Sequence, residues 1–482
     1  MKKFFAAILN HSEYIIILVL IGGAIYLGLS FGGFVESSSE HKDPKYYANS
    51  LFDQSYVHKI EIEITEERLN ELLASPGEKT KFPADIIIDG EKVSEIAFST
   101  RGNYSLYTMI EEGSSTRYSF KVNFQKFNNS QRYHGLDKLV LNNLYSDSSY
   151  LHDYLAFELM RAMNIPAPLT SFAELYINGE LKGLYLAVED VDDSFMERNK
   201  FARDAILYKP EPIAFDRYVV YKMQEQAPEG EDLGLVISGT SPDFDFGGAD
   251  LKYVGDDYSK YAAILNNAVS KISEKDKEYV VKSIKAISPA TIEDPEDYWD
   301  IDALARYFAV NNFIISTDSY TGDTSHNYYL LADGGKNTLL PWDYNLAFQG
   351  LWLDPEVVID ENYINWPIDA LLSSYETISR PLWDMMTENP EFLEKYHKAM
   401  QNLIDSYILN GECHKKIDEI VDLIRPYVYS DPTRFYTIDE FESGVVALRE
   451  FMFVRTDSVQ KQLWGLLPTS FKKTKTNSKK TK

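Results

Sequence analysis

One cysteine, Cys413, stands in a chain of 482 residues. This excludes an intramolecular disulfide and a thiolate metal cluster. The 8 histidines include no two at zinc-ligand spacing. Missing too are the phosphate-cradling GxxxxGK(S/T) loop, GxGxxG after a strand, HExxH and GxSxG. P-loop, dinucleotide-binding, zinc-protease and nucleophile-elbow chemistry therefore have no sequence support. No period of 20 to 50 residues repeats, as a solenoid or propeller requires. Basic residues are scarce as well, 48 against 74 acidic ones, for a net charge of −26. Six lysines of this minority fall in the acid-free stretch from Lys472 to Lys482. A body this acidic excludes a general nucleic-acid surface and suits basic protein substrates or divalent cations.

What is present describes a globular protein. The chain is 44% hydrophobic and 25% charged, and 34 Tyr with 26 Phe argue against extended disorder. From Tyr14 to Val35 no residue is charged, and residues 14–34 are long enough for a transmembrane helix. Lys2 and Lys3 precede the run while Glu36 and Glu40 follow it. The positive-inside rule then predicts a short cytoplasmic N-terminus over 1–13 and an extracytoplasmic body. The chain is expected to be a single-pass membrane protein. A linker over 35–54, a folded domain over 55–465 and a basic tail over 466–482 complete the expected organisation.

Hydrophobic alternation predicts strands in "VHKIEIEI", "ADIIIDGEKVSEIAFST", "RYSFKVNFQKF" and "KLVLNN". Asp89-Gly90 and Asn178-Gly179 read as hairpin turns. A loop is expected after Arg101-Gly102, a helix over Ser148–Met163, and a long loop or insertion over 210–255. Helices dominate 257–315 and 366–465. A strand-rich N-terminal half thus precedes a helix-rich C-terminal half, an α+β, bilobal arrangement. The Asp-rich stretch 243–257 fails the calcium-loop pattern, because its twelfth position is Val254.

Between the halves lies "STDSYTGDTSHNYYLLADGGKNTLLPWDYN", residues 316–345. Apolar runs flank Asp333-Gly334-Gly335, the chemistry of a tight turn. Centring the hairpin on Gly335 sets Asn327 opposite Asp343, with Cα atoms roughly 5 Å apart. An amide oxygen beside a carboxylate forms a hard-oxygen pair suited to Mg²⁺. Asp318 precedes them in a polar loop. The order loop Asp, Asn, hairpin, Asp is the one that protein kinases use. His326 reads as a loop-fixing hydrogen bonder, and Met160 and Met163 as core.

Several motifs in the same order resemble the spore-coat protein H (CotH) kinase family, an atypical protein-kinase-like group. They are "TRGNY" (100–104), "RYSFKVNF" (117–124), "LVLNNLYSDSSYLHDYLAFELM" (139–160), "IPAPLTSFAELYINGELKGLYLAVEDVD" (165–192), "LYKP" (207–210), "DSYTGDTSHNYYLL" (318–331) and "LPWDYNLAFQG" (340–350). The resemblance covers roughly residues 55–460. It implies an atypical protein-kinase-like fold, ATP with Mg²⁺ or Mn²⁺, and phosphorylation of Ser or Thr on a protein substrate, basic or Ser-rich. It makes Asp318 the catalytic Asp, with Asp323 a competitor. Asn327 and Asp343 become the metal ligands. Arg117 stands where the family usually has Lys, with Glu158 its expected partner and Glu189 a weaker one. Lys209 is expected to touch nucleotide or cover the junction between lobes. Asn345 replaces a second family Asp. These two departures keep open a catalytically weak or inactive protein that acts in surface or coat assembly by binding.

Overall fold

Seven strands close into a barrel whose neighbours run β1-β2-β3-β4-β5-β7-β6 among the described residues. This computed structural model describes residues 46–113, 115–212, 246–289, 291–348, 361–373 and 378–471. The barrel strands are β1 (His58–Glu63), β2 (Phe82–Ile88), β3 (Glu91–Arg101), β4 (Ser119–Asn123), β5 (Lys138–Asn142), β6 (Thr170–Ile177) and β7 (Glu180–Glu189). Closure comes from β1 pairing with β6 in parallel, His58 against Ala173 through Ile62 against Ile177. The other barrel pairs are antiparallel. Period-2 patterning builds it: in β2, Phe82, Ala84, Ile86 and Ile88 are buried while the residues between them are half-buried.

Where the barrel meets helices both faces of a strand are covered. Leu139, Val140 and Leu141 are therefore buried in succession. Val140, Leu186 and Val188 pack in one core with Leu155 and Leu159 of helix α3, once α1 (Glu66–Ala74), α2 (Tyr104–Glu112) and α3 (His152–Ala162) are numbered in chain order. The same core continues to Phe308, Leu330, Trp383, Ile420 and Phe451. Leu51–Lys482 accordingly form one compact unit. Residues 46–50 belong to a separate unit, a short turn in which Ser50 Oγ donates to Tyr46 O at 3.2 Å.

After α4 (Asp193–Arg198), strand β8 (Ile206–Tyr208) joins a second sheet with β9 (Tyr328–Asp333) and β10 (Lys336–Pro341), in the order β10-β9-β8. Helices α5 (Ala262–Leu265), α6 (Glu274–Ala286) and α7 (Ile301–Phe313) lead into that hairpin. Helices α8 (Glu361–Ile364), α9 (Pro381–Glu388), α10 (Pro390–Leu403), α11 (Glu412–Ser430) and α12 (Ile438–Leu463) follow it. Caps fix the helix starts: Asp300 accepts from Ala303 N ahead of α7, and Thr437 with Glu440 forms a capping box ahead of α12.

The expected fold class needs correction. The strand-rich half is a closed barrel, and the outward residues of β5 and β7 pack into the core of the helices within one compact unit rather than two lobes. The expected transmembrane helix over 14–34 lies outside the described residues. Among the described residues no helix is long and apolar enough to cross a membrane. Even α12, with 26 residues, carries Asp439, Glu440, Glu442, Arg449, Glu450, Arg455, Asp457 and Lys461. The single-pass membrane localisation is corrected with it. The fold supported is a mixed α+β domain around a barrel-like sheet. The loop expected after Arg101-Gly102 contains α2, and most of the long loop expected over 210–255 lies outside the described residues.

Candidate functional site

The hairpin end organises the site. Asp333 pairs with Lys336 and Tyr328 with Pro341, so the turn holds two residues, Gly334 and Gly335. Their φ angles of 56° and 78° are those of a type I′ turn. The turn thus centres between the glycines rather than on Gly335, and the register differs by one from the sequence expectation. Asn327, just beyond the ladder, lies across from Trp342 instead of Asp343. Both Asn327 (φ 55°) and Asp343 (φ 53°) then adopt the left-handed region, which turns each chain out of the ladder at the same end of the hairpin. Such backbone costs about 1–3 kcal/mol per residue and persists only where contacts dictate it.

For Asn327 those contacts are with Asp318. Asn327 Nδ2 donates to Asp318 O at 3.0 Å and to its Oδ2 at 2.9 Å, while Thr324 Oγ1 donates to Oδ1 at 2.7 Å. Asp323, the competing carboxylate, accepts from Ser373 Oγ instead. Its loop is held by the buried Arg380, whose guanidinium donates to Tyr320 O, Gly322 O and Asp323 O at 3.0, 2.8 and 3.1 Å.

Asp343 faces the barrel. Arg101, the last residue of β3, approaches it at 3.9 Å and lies over the Trp342 ring at 5.0 Å. A small cleft here is lined by Arg101, Val140, Asn142, Asp153, Phe157, Val188, Trp342 and Asp343. Burial, and then the charge of Asp343, push the Asp153 carboxyl well above the usual carboxylate range. Close by, Lys121 of β4 pairs with Asp190 at 2.5 Å. Burial opposes ionisation of Asp190, yet Lys121 holds it below its ordinary value. Sequence reasoning passed over Arg101, Lys121, Asn142 and Asp153 as site residues, although all four sit inside the quoted motifs.

Lys209 lies 3.2 Å from Glu211, which also faces His326 at 3.8 Å and accepts from Asn103 Nδ2 at 2.9 Å. Burial resists charge on Glu211, but Lys209 and His326 hold it well below the carboxylate range. Burial likewise disfavours His326⁺, and Glu211 followed by Asp318 raises it nonetheless. Lys209, Glu211 and His326 therefore border the Asp318 loop.

Three expected residues sit elsewhere. Arg117 is 3% exposed. Its guanidinium pairs with Asp431 at 2.8 Å, donates to Leu184 O, and lies over the Tyr185 and Phe435 rings at 5.4 and 5.0 Å. Glu158 pairs with Arg161 at 2.7 Å and accepts from Gln54 Nε2 at 2.8 Å. The expected Arg117–Glu158 pair is not formed, because Asp431 takes the Arg117 guanidinium while Arg161 and Gln54 take the Glu158 carboxylate. Glu189 is held by Arg198 at 2.6 Å. Asp137, Asp192 and Asp193 place carboxylate oxygens within 4.8 Å of one another. Lys138 pairs with Asp192 and Ser194 Oγ donates to Asp137, so this trio is a compensated helix start.

The model of the CotH kinase protein family matches residues 98–459, from within β3 to the last turn of α12. The chain belongs to the CotH family. It is 23% identical over 347 residues to the inner spore coat protein H of Bacillus subtilis (strain 168), covering 72% of this chain and 83% of that protein. Among solved structures it is similar to the proinflammatory kinase CtkA of Helicobacter pylori, with 11% identity and a TM-score of 0.34 over 72% of this chain and 94% of that one. That likeness is too distant to bear on the site. The CotH match includes Arg101, Lys121, Asp153, Asp318, Asn327 and Asp343 within its bounds.

Proposed function

We propose that this CotH protein is a metal-dependent protein kinase that transfers the γ-phosphoryl group of ATP to a Ser or Thr hydroxyl. The observation that carries the reading is the Asp318–Asn327 hydrogen bond at the end of the hairpin from which Asp343 also emerges. Asn327 donates through Nδ2, which leaves its amide oxygen as the ligand atom. With the Asp343 carboxylate it makes a hard-oxygen donor set, the chemistry that Mg²⁺ or Mn²⁺ selects. Bound there, the metal would neutralise charge on the ATP phosphates.

The chain's own residues have distinct tasks. Asp318 orients the acceptor hydroxyl and takes its proton as oxygen attacks phosphorus. Arg101 and Lys121 line the barrel side with positive charge for phosphate, the task expected of Arg117 from sequence. Lys209 remains a nucleotide contact, bordering the Asp318 loop beside Glu211. The net charge of −26 favours a basic protein substrate. Assembly by binding is the second reading, since the resemblance sets Asn345 where the family is expected to carry a second Asp. The name of the relative, an inner spore coat protein, fits that reading too.

Calorimetry with Mg·ATP on two variants tests the assignment. Asp343→Asn is expected to weaken Mg·ATP binding at least 10-fold, a loss of about 1.4 kcal/mol, with the fold intact. Asp318→Asn is expected to keep that affinity and lose phosphoryl transfer. Equal loss of binding in both would place Asp318 among the metal ligands. Wild-type protein that binds neither ATP nor metal would leave the assembly reading.

A further inference from the structure

Helix α3 begins with His152-Asp153, and both side chains reach across to the backbone that follows Asp343. Asp153 Oδ1 accepts from Tyr344 N at 2.5 Å, and its Oδ2 accepts from Asn142 Nδ2 at 2.7 Å. His152 Nδ1 lies 2.8 Å from Asn345 O. A carbonyl only accepts, so Nδ1 carries the proton. Asp147 accepts from His152 N at 2.7 Å and lies 3.5 Å from its Nε2, which fixes the imidazole from behind. Both residues are buried, and Phe348 packs on the imidazole at 5.4 Å. Consecutive side chains thus hold one N–H and one C=O of Tyr344 and Asn345.

This arrangement has a clear object. Asp343 sits in left-handed backbone (φ 53°) that a non-glycine residue does not keep unaided. Tethers on the 343–344 and 345–346 peptide groups fix where its carboxylate points. The anchor is rigid, because Asp153 also ties to Asn142 at the end of β5. We infer that Asp153 and His152 are positioning residues for Asp343, linking barrel and α3 to the proposed metal ligand. The inference rests on the metal-dependent kinase reading. Both residues act on Asp343 through the backbone, and by analogy with an outer-shell hydrogen bond their loss is expected to cost about 10–100-fold in metal affinity.

The readout is the ratio of affinities for Mn·ATP and for ATP in EDTA, measured by calorimetry on the full chain. A purely structural role would not move that ratio in a folded variant. Asp153→Asn presents an amide N–H to Asn142 Nδ2, donor against donor, and is expected to lower the ratio about 10–100-fold. The exchange Asp153→Asn with Asn142→Asp restores donor to acceptor at unchanged charge, and is expected to recover most of the loss. An unchanged ratio in Asp153→Asn, with Asp343→Asn reducing it, would overturn the positioning role alone. A wild-type ratio near one would instead overturn the metal reading beneath it. Should Asp153→Asn not fold, His152→Phe keeps the ring contact and removes the bond to Asn345. Its ratio is then expected to fall, and an unchanged one overturns the inference.

Discussion

Arg117 shows how far burial redirects a charged residue. Read from the sequence, it precedes a strand, and the family resemblance sets it where a Lys is expected, which implies a phosphate contact. In the fold its charge is met by Asp431, 314 positions later, a distance that no local pattern can reveal. Arg101 is the cation that lines the cleft beside Asp343, while Lys121, four residues after Arg117, pairs with Asp190. Arg117→Ala is predicted to lower stability by about 3–5 kcal/mol, since it strands the buried Asp431 carboxylate. Urea melts would read this, and replacing both partners by leucine should cost less than the single change. A folded Arg117→Ala with unaltered stability would contradict the lock and return Arg117 to the nucleotide. The Asp318–Asn327 hydrogen bond was not read from the sequence, which set Asn327 against Asp343; residue order showed only that the three polar residues surround one hairpin. Asp153 was not legible either, because nothing in "YLHD" tells which loop will pack against a helix start.

Among the elements, the hairpin was visible in outline and off by one in register. Asp333-Gly334-Gly335 permits a turn centred on one glycine or between the two, and only the φ signs of both residues separate these. The barrel strands β1 to β7 were legible from alternation and from the Asn-Gly and Asp-Gly turns. Closure was not, because the β1–β6 pairing is a long-range contact. Helix α2 was missed behind Gly102, whose turn chemistry masks the helix after it. The loop carrying Asp318 has its own constraint at Gly322. A Cβ there would meet Thr317 O at 1.7 Å, so a side chain must displace the segment between Thr317 and Gly322. Gly322→Ala is predicted to reduce phosphoryl transfer about 100-fold, the cost of roughly 1 Å of misplacement, with Mg·ATP affinity little changed. Full transfer by a folded Gly322→Ala protein would show that the loop position is not critical.

At the scale of the whole molecule, β5 and β7 of the barrel pack against the helical core, and the candidate site lies where β3, β5, α3 and the β9–β10 hairpin come together. The strong negative charge adds an expectation about substrates: selectivity for basic peptides should weaken as salt rises. The most direct measurement of the central claim is transfer of labelled γ-phosphate from ATP to a basic, Ser-containing peptide in the presence of Mn²⁺. The wild-type chain is predicted to transfer phosphate in a reaction that stops with EDTA and is lost in both Asp318→Asn and Asp343→Asn. Transfer that survives in a folded Asp343→Asn protein, or that continues in EDTA, would contradict that claim.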